Sequence, residues 1–200
     1  MISLRSIVRT CAAGALSLLG VSQLSAGLNF SIYPVNGNVV MVGSGSVDLA
    51  GLAGPGGAEQ SPAVRSDWSL IMVGMFDQEV DFYSPVTPPS PALGDSSFRF
   101  VADNGWGDSI GLIAIPNLTP GLYVPDNYVS GTSLSGTAIF LNTTVADLGL
   151  TPGVYTWTWG SGANADSATL TISVPEPSTW AAIAGLGALG LIALRRRVRA

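Results

Sequence analysis

Apolar and polar residues alternate with period two through much of the chain between positions 27 and 174, the signature of half-buried strands. The pattern is clearest near the end of that stretch. Tyr155, Trp157 and Trp159 fall on one face, with Val154, Thr156 and Thr158 on the other. Ala168, Leu170, Ile172 and Val174 then share a face opposite Thr169, Thr171 and Ser173. The loop-forming residues 160–167 between them make these a strand pair with one side buried. Further strands are predicted at Leu28–Tyr33, Val39–Val42, Ser46–Leu49, Trp68–Val73, Ser97–Val101, Ile110–Ile115 and Thr137–Leu141. Asn36-Gly37, Asp103-Asn104-Gly105 and Gly54-Pro55-Gly56-Gly57 supply turns between them. Ala50–Ser66 reads as a long loop, Ser84–Pro91 as an exposed polyproline-like loop, and Thr143–Leu148 as at most a turn or two of helix. Many short strands with Gly and Pro punctuation predict an all-β domain over 27–174, an antiparallel β-sandwich of jelly-roll-like type. About 148 residues suffice for one good core.

A short recurrence lies within this domain. Leu118-Thr119-Pro120-Gly121-Leu122-Tyr123 returns as Leu150-Thr151-Pro152-Gly153-Val154-Tyr155. Pro-Gly predicts a type II turn leading each tyrosine into a strand. Two copies do not make a solenoid, but such corners resemble the strand entries of immunoglobulin-like sandwiches in fold alone.

The two ends follow a different pattern. Arg5 and Arg9 precede the apolar run Cys11–Leu19, and Ser25-Ala26-Gly27 follow, the order of a secretory signal peptide over residues 1–26. Residues 178–194 contain no charge, and as a helix they reach about 25 Å, enough for a single short transmembrane helix. Trp180 at one end and Arg195, Arg196, Arg197 and Arg199 at the other predict a cytoplasmic C-terminus. Between domain and helix stands Val174-Pro175-Glu176-Pro177. Its prolines hold the backbone extended, in the form that enters a protease cleft.

This order of PEP motif, short apolar helix and Arg cluster resembles the PEP-CTERM sorting signal, over residues 175–200. The resemblance implies an exosortase as partner, a membrane-embedded enzyme of bacteria that make exopolysaccharide, which recognises and processes the tail. It implies an exported protein that passes through the secretion machinery and is anchored in the inner membrane before processing. Afterwards the protein is expected at the cell surface or outside the cell, in association with exopolysaccharide. Residues Leu122–Ile172 also resemble a stretch found before this signal in such proteins, and that likeness brings no activity with it.

Composition sharpens this picture. Charged residues make up 10% of the chain against about 25% in a typical domain. With 47% apolar residues, disorder is excluded. The 25 Gly and 13 Pro, with no long apolar run between the ends, argue against a multi-pass membrane protein. The net charge of −5 divides unevenly. Residues 27–174 hold twelve acids against Arg65 and Arg99, a net of −10, while both ends are basic. Nucleic-acid partners need a basic footprint and are not expected.

The chain has no His and no Lys, and its one cysteine, Cys11, lies in the signal peptide. Ser-His-Asp, Cys-His and Schiff-base chemistry are therefore outside its reach, as are zinc sites of the usual ligands and structural disulfides. Carboxylates remain. Asp77, Glu79 and Asp81 would share one face of a strand, and paired acids serve glycoside hydrolysis, although a solvated strand end explains them equally. Asp103, Asn104 and Asp108 flank glycines in a pattern that suits weak calcium binding, or a plain turn. Trp106, Trp157 and Trp159 are the candidates for stacking on a sugar, with calcium as a possible aid. The expectation is a non-enzymatic, cofactor-free protein with a structural or adhesive ectodomain. A carbohydrate- or calcium-binding module is the alternative, and a carboxylate-dependent glycosidase the lesser one.

Overall fold

The structure is a computed structural model that describes residues 27–174. The signal peptide, Pro175, Glu176, Pro177, the apolar segment 178–194, Trp180 and the terminal arginines lie outside the described residues. Among the described residues no helix is long and apolar enough to cross a membrane.

The described chain is all-β. Its strands are β1 (Gly27–Val35), β2 (Asn38–Gly45), β3 (Ala53–Gln60), β4 (Ala63–Arg65), β5 (Leu70–Val73), β6 (Gln78–Ser84), β7 (Phe100–Val101), β8 (Asn104–Gly107), β9 (Ile110–Ile113), β10 (Gly121–Pro125), β11 (Leu134–Phe140), β12 (Gly153–Trp159) and β13 (Asp166–Ile172). Six form one sheet in the order β12-β13-β1-β2-β11-β8, and seven form the other in the order β3-β6-β10-β9-β5-β4-β7. All pairs are antiparallel except β1 with β13, which run parallel in register from Gly27↔Ser167 to Ile32↔Ile172.

The main core lies between the sheets. Leu28, Phe30, Ile32, Met41, Trp157, Leu170 and Ile172 come from the first sheet; Ile71, Val73, Ile110, Leu112, Leu122 and Val124 come from the second. Every second residue of the first sheet points inward, as the alternation predicts. At Gly43 and Gly136, paired across β2 and β11, the inward position is empty. A Cβ at Gly43 would meet the Phe30 ring, and one at Gly136 would meet the Asp108 carbonyl and Val73. These two glycines let the second sheet approach closely, and Gly74 donates its N–H to the Thr137 carbonyl at 3.3 Å.

The second sheet curls. Two residues, Ser61 and Pro62, connect β3 at one edge to β4 beside the other edge, so the edges meet there. Arg99 Nη2 donates to Gln60 Oε1 at 3.2 Å across that closure. A second, smaller core fills the concave side, built from Leu70, Met72, Val80, Ile113 and Tyr123, with Ala58, Trp68, Phe82 and Ile115 packed against it. Both sheets and both cores are built from residues 27–174.

Several expectations need correction. Ala50–Ser66 is not one long loop, since it holds β3 and β4. Gly and Pro conceal β3, yet on an edge strand they cost little because one side of the backbone is unpaired anyway. Ser46–Leu49 is extended but joins no sheet. Ser46 donates its N–H to the Gly27 carbonyl at 3.4 Å, and the other three N–H groups go to side chains: Val47 to Tyr128 Oη at 3.0 Å, Asp48 to Asp166 Oδ2 at 2.8 Å, and Leu49 to Ser130 Oγ at 2.8 Å. Trp68–Val73 is interrupted, with a short 3-10 turn at Ser66–Trp68 and Ser69 left-handed at φ 45° before β5. Only Phe100–Val101 of Ser97–Val101 is paired. Asp103-Asn104-Gly105 is not a turn between strands, since Asp103 directly precedes β8 and Asn104 and Gly105 are its first residues. The Pro-Gly pairs are not type II turns, because Gly121 and Gly153 are the first residues of β10 and β12. Gly121 is needed there for space, since a Cβ would strike the Phe82 ring.

Candidate functional site: an uncharged sheet face beside the exit of the tail

The outer face of the six-stranded sheet is built from the polar half of each alternation. Register fixes its rows. One runs Trp106, Thr137, Val42, Ser31, Thr171, Val154; its neighbours run Asn104, Ile139, Val40, Tyr33 and Ser135, Ser44, Asn29, Thr169, Thr156. All of these residues are exposed or half-buried, Trp106 being 52% exposed. None is charged, although the domain carries twelve acids. The hydroxyls and amides of this face both donate and accept hydrogen bonds, while Trp106, Tyr33, Val40, Val42 and Ile139 give it apolar relief.

Trp157 and Trp159 do not belong to this face. They are 0% and 4% exposed, on the inner side of β12, and Trp159 Nε1 donates to the Asp48 carbonyl at 3.0 Å. The alternation had placed them together correctly, but which side faces solvent depends on the partner sheet. Thr156 and Thr158 take the outside because burying a hydroxyl without a partner costs more than burying an indole ring. Only Trp106 of the three is available for stacking. Tyr33, Val40, Val42 and Ile139 were missed as members of the face; alternation marks them as outward, but nothing local reveals which strands lie side by side.

The acidic candidates are dispersed. Asp103 precedes β8 and accepts from the Leu141 N–H at 2.7 Å; Asp108 follows β8 and accepts from the Ser135 N–H at 2.8 Å. At about 3.3 Å per residue, β8 keeps these two carboxylates roughly 13 Å apart or more along the strand. They satisfy the N–H groups of β11 where the short β8 does not reach. Asp77 is not in a strand: it sits in a turn at φ 51° and is hydrogen-bonded to Ser61 Oγ at 2.7 Å. Glu79 is exposed opposite Glu59, whereas Asp81 is 8% exposed and accepts from the Asn127 N–H at 3.1 Å. Among the described residues no three acids gather closely enough to hold a metal ion.

Asp166 is the acid most altered by its surroundings. It is 5% exposed, and accepts from the Asp48 N–H at 2.8 Å and the Ser167 N–H at 2.7 Å. Burial pushes its carboxyl above the ordinary aspartate range, against the pull of the two hydrogen bonds, and the nearby Asp48 charge adds to the rise. Its partners tie the segment Val47–Ala50 to the sheet. Tyr128 belongs to the same network, donating to the Thr132 carbonyl at 2.6 Å, and burial raises its phenol too.

The tail leaves from one end of this sheet. Ile172 is the last residue of β13, Ser173 donates its N–H to the Ile32 carbonyl at 2.9 Å, and Val174 is 52% exposed. Val35 at the end of β1, Leu141 just past β11 and Val154 near the start of β12 are also exposed, all at this same end of the sheet. Since β1 and β13 are parallel, the domain begins at the opposite end of the sheet from its exit.

Comparison with the curated proteins and with the solved structures gives no match. A family model described as the PEP-CTERM protein-sorting motif matches residues 173–197. It begins one residue after the last strand residue, where the folded domain ends. The motif implies an exosortase as processing partner, and a protein that is exported and held in the membrane before processing. The chain thus carries a PEP-CTERM sorting motif directly after its described β strands.

Proposed function

We propose that this is a non-catalytic, cofactor-free envelope or matrix protein. Its tail is processed by an exosortase after export, and its six-stranded sheet then lies against neutral exopolysaccharide. The observation that supports the reading is the set of three adjoining rows without a charge in a domain of net charge −10. An acidic polysaccharide would be repelled by most of this domain, and a neutral one would find its best surface here. Hydroxyl and amide side chains match sugar hydroxyls, and Trp106 offers an exposed ring for the apolar face of a hexose. Self-association through this face is less well supported, because Ser31, Ser44 and Ser135 line its middle and serine is depleted in the centres of protein interfaces.

Residues 27–174 are expected to be retarded in native gels containing a neutral glucan or galactomannan, but not in gels containing alginate. Retardation should change little between about 0.05 and 0.5 M salt, since no charge pairs with the ligand. Trp106→Ala should weaken it roughly 3- to 10-fold without changing the melting temperature, the loss of one aromatic contact. Retardation by alginate alone, or a Trp106→Ala variant that binds as well as the parent, overturns this assignment of the face.

A further inference from the structure

On the outer face of the six-stranded sheet, polarity changes along the strands and stays constant across them. Taken from one end of the sheet to the other, β2 presents Ser44, Val42 and Val40, β11 presents Ser135, Thr137 and Ile139, and β1 presents Asn29, Ser31 and Tyr33. Each of these strands passes from polar to apolar in the same direction, and register joins the polar ends into one continuous row. Ser135, Ser44, Asn29, Thr169 and Thr156 follow one another in it, one residue per strand across β11, β2, β1, β13 and β12. Thr169 is half-buried and the other four are exposed. Ser66 Oγ, Ser130 Oγ and Thr144 Oγ1 are hydrogen-bonded to other parts of the fold, but among the described residues none of these five side chains is. All five are therefore free to exchange water for the hydroxyls of a ligand.

Spacing defines what fits this ladder. Neighbouring strands stand about 4.8 Å apart, so its five rungs span roughly 19 Å, whereas same-face residues within a strand are about 6.7 Å apart. An extended β-1,4-linked hexose chain repeats at about 5 Å, which matches the step across the strands and not the step along them. Such a chain is a ribbon with hydroxyls on its edges and C–H groups on its faces. With one edge on the ladder, its face lies over the next row, where Val42 and, at the β8 end, Trp106 supply apolar contact. The sheet also twists by about 20° at each strand. A single extended chain follows that twist by small rotations at its glycosidic bonds, while a chain coiled by α-1,4 linkages leaves most rungs empty. On the reading that this face meets neutral exopolysaccharide, we infer that its ligand is a single extended β-1,4-linked chain, a glucan or mannan, lying across the strands with about five hexoses on the five rungs.

Calorimetric titration of the full chain, kept soluble in a sugar-free detergent, tests this with cellobiose, cellopentaose, cellohexaose and maltopentaose. Affinity should rise from cellobiose to cellopentaose and then change less than about twofold to cellohexaose, because the rungs are used up. Cellopentaose should bind about tenfold more tightly than maltopentaose, the difference of one or two hydrogen bonds. Ser135→Ala and Thr156→Val, at the two ends of the ladder, should each weaken cellopentaose about 2- to 5-fold and leave cellobiose nearly unchanged, since a short sugar finds other rungs. Valine keeps the shape of threonine and suits a strand, so the fold is retained. Ser167→Ala removes a hydroxyl from the same face one step along β13 from Thr169, and should bind cellopentaose like the parent. Four results overturn the inference: no binding of cellopentaose, no gain beyond cellobiose, equal affinity for maltopentaose, or a loss at Ser167→Ala as large as at the ends of the ladder. If a neutral polysaccharide still retards the domain in gels through Trp106, the assignment of the face survives any of them. Absence of binding to every neutral saccharide, polymers included, overturns both.

Discussion

Asp166 and Tyr155 hold backbone in place where the sheets do not. Because burial raises the Asp166 carboxyl, the folded protein keeps a proton that the unfolded chain releases just above the ordinary value of 3.8. The stability that Asp166 contributes is therefore complete below that value and diminishes as pH rises through the folded one. Asp166→Asn should lower stability most in acid, and its deficit against the parent should shrink as pH rises from about 3 to about 7, read from urea unfolding at each pH. Tyr155 donates its hydroxyl to the Thr151 carbonyl at 2.8 Å, a tyrosine corner at the entry to β12. Tyr155→Phe should cost about 1 kcal/mol in the same assay and leave polysaccharide binding unchanged. The Leu-Thr-Pro-Gly-x-Tyr recurrence resembled the strand entries of immunoglobulin-like sandwiches in both copies, and among the described residues only the second copy makes this bond. Tyr123 is turned into the small core instead, and no local feature of the two copies separates these outcomes.

At the scale of elements, what the sequence revealed was period and what it hid was pairing. The alternation of β1, β12 and β13 carried over almost residue for residue, since each buries one face. β3 was hidden because its affinity for β6 is a matter of backbone, with Ala and Gly where apolar side chains would mark a strand. β8 was hidden because Asn-Gly-Trp-Gly has no period at all. Its role rests on neighbours: Asp103 and Asp108 finish the pairing of β11 that its four residues leave incomplete. Asp103→Ala and Asp108→Ala should each cost about 0.5–1.5 kcal/mol, one N–H losing its partner, and calcium should not alter the melting temperature of the parent. Gly136→Ala forces a Cβ against backbone and should destabilise by about 1–3 kcal/mol or more, as overpacking does, with partial relief in no single neighbouring substitution.

At the scale of the molecule, the sorting motif at 173–197 directly follows the last strand of the described β body. Composition set both ends apart because each combines an apolar run with arginines, a pattern no strand of this domain shows, and the family model matches the C-terminal one. The uncharged face was not legible, since it exists only when six strands separated along the chain are set side by side. Residues 173–177 can span at most about 18 Å when extended. Deleting residues 175–200 should abolish membrane association and processing while leaving the melting temperature of the domain unchanged, as judged by fractionation and thermal unfolding.

The claim on which this account depends is that a folded domain is delivered by a tail that is then removed. Intact-mass and terminal-peptide mass spectrometry of the mature protein recovered from the cell surface tests it directly. The account predicts a chain that starts at or next to Gly27, ends within or next to Val174–Ser178, and lacks the apolar segment and the arginines. A mature surface protein recovered only with its C-terminus at Ala200 would contradict it.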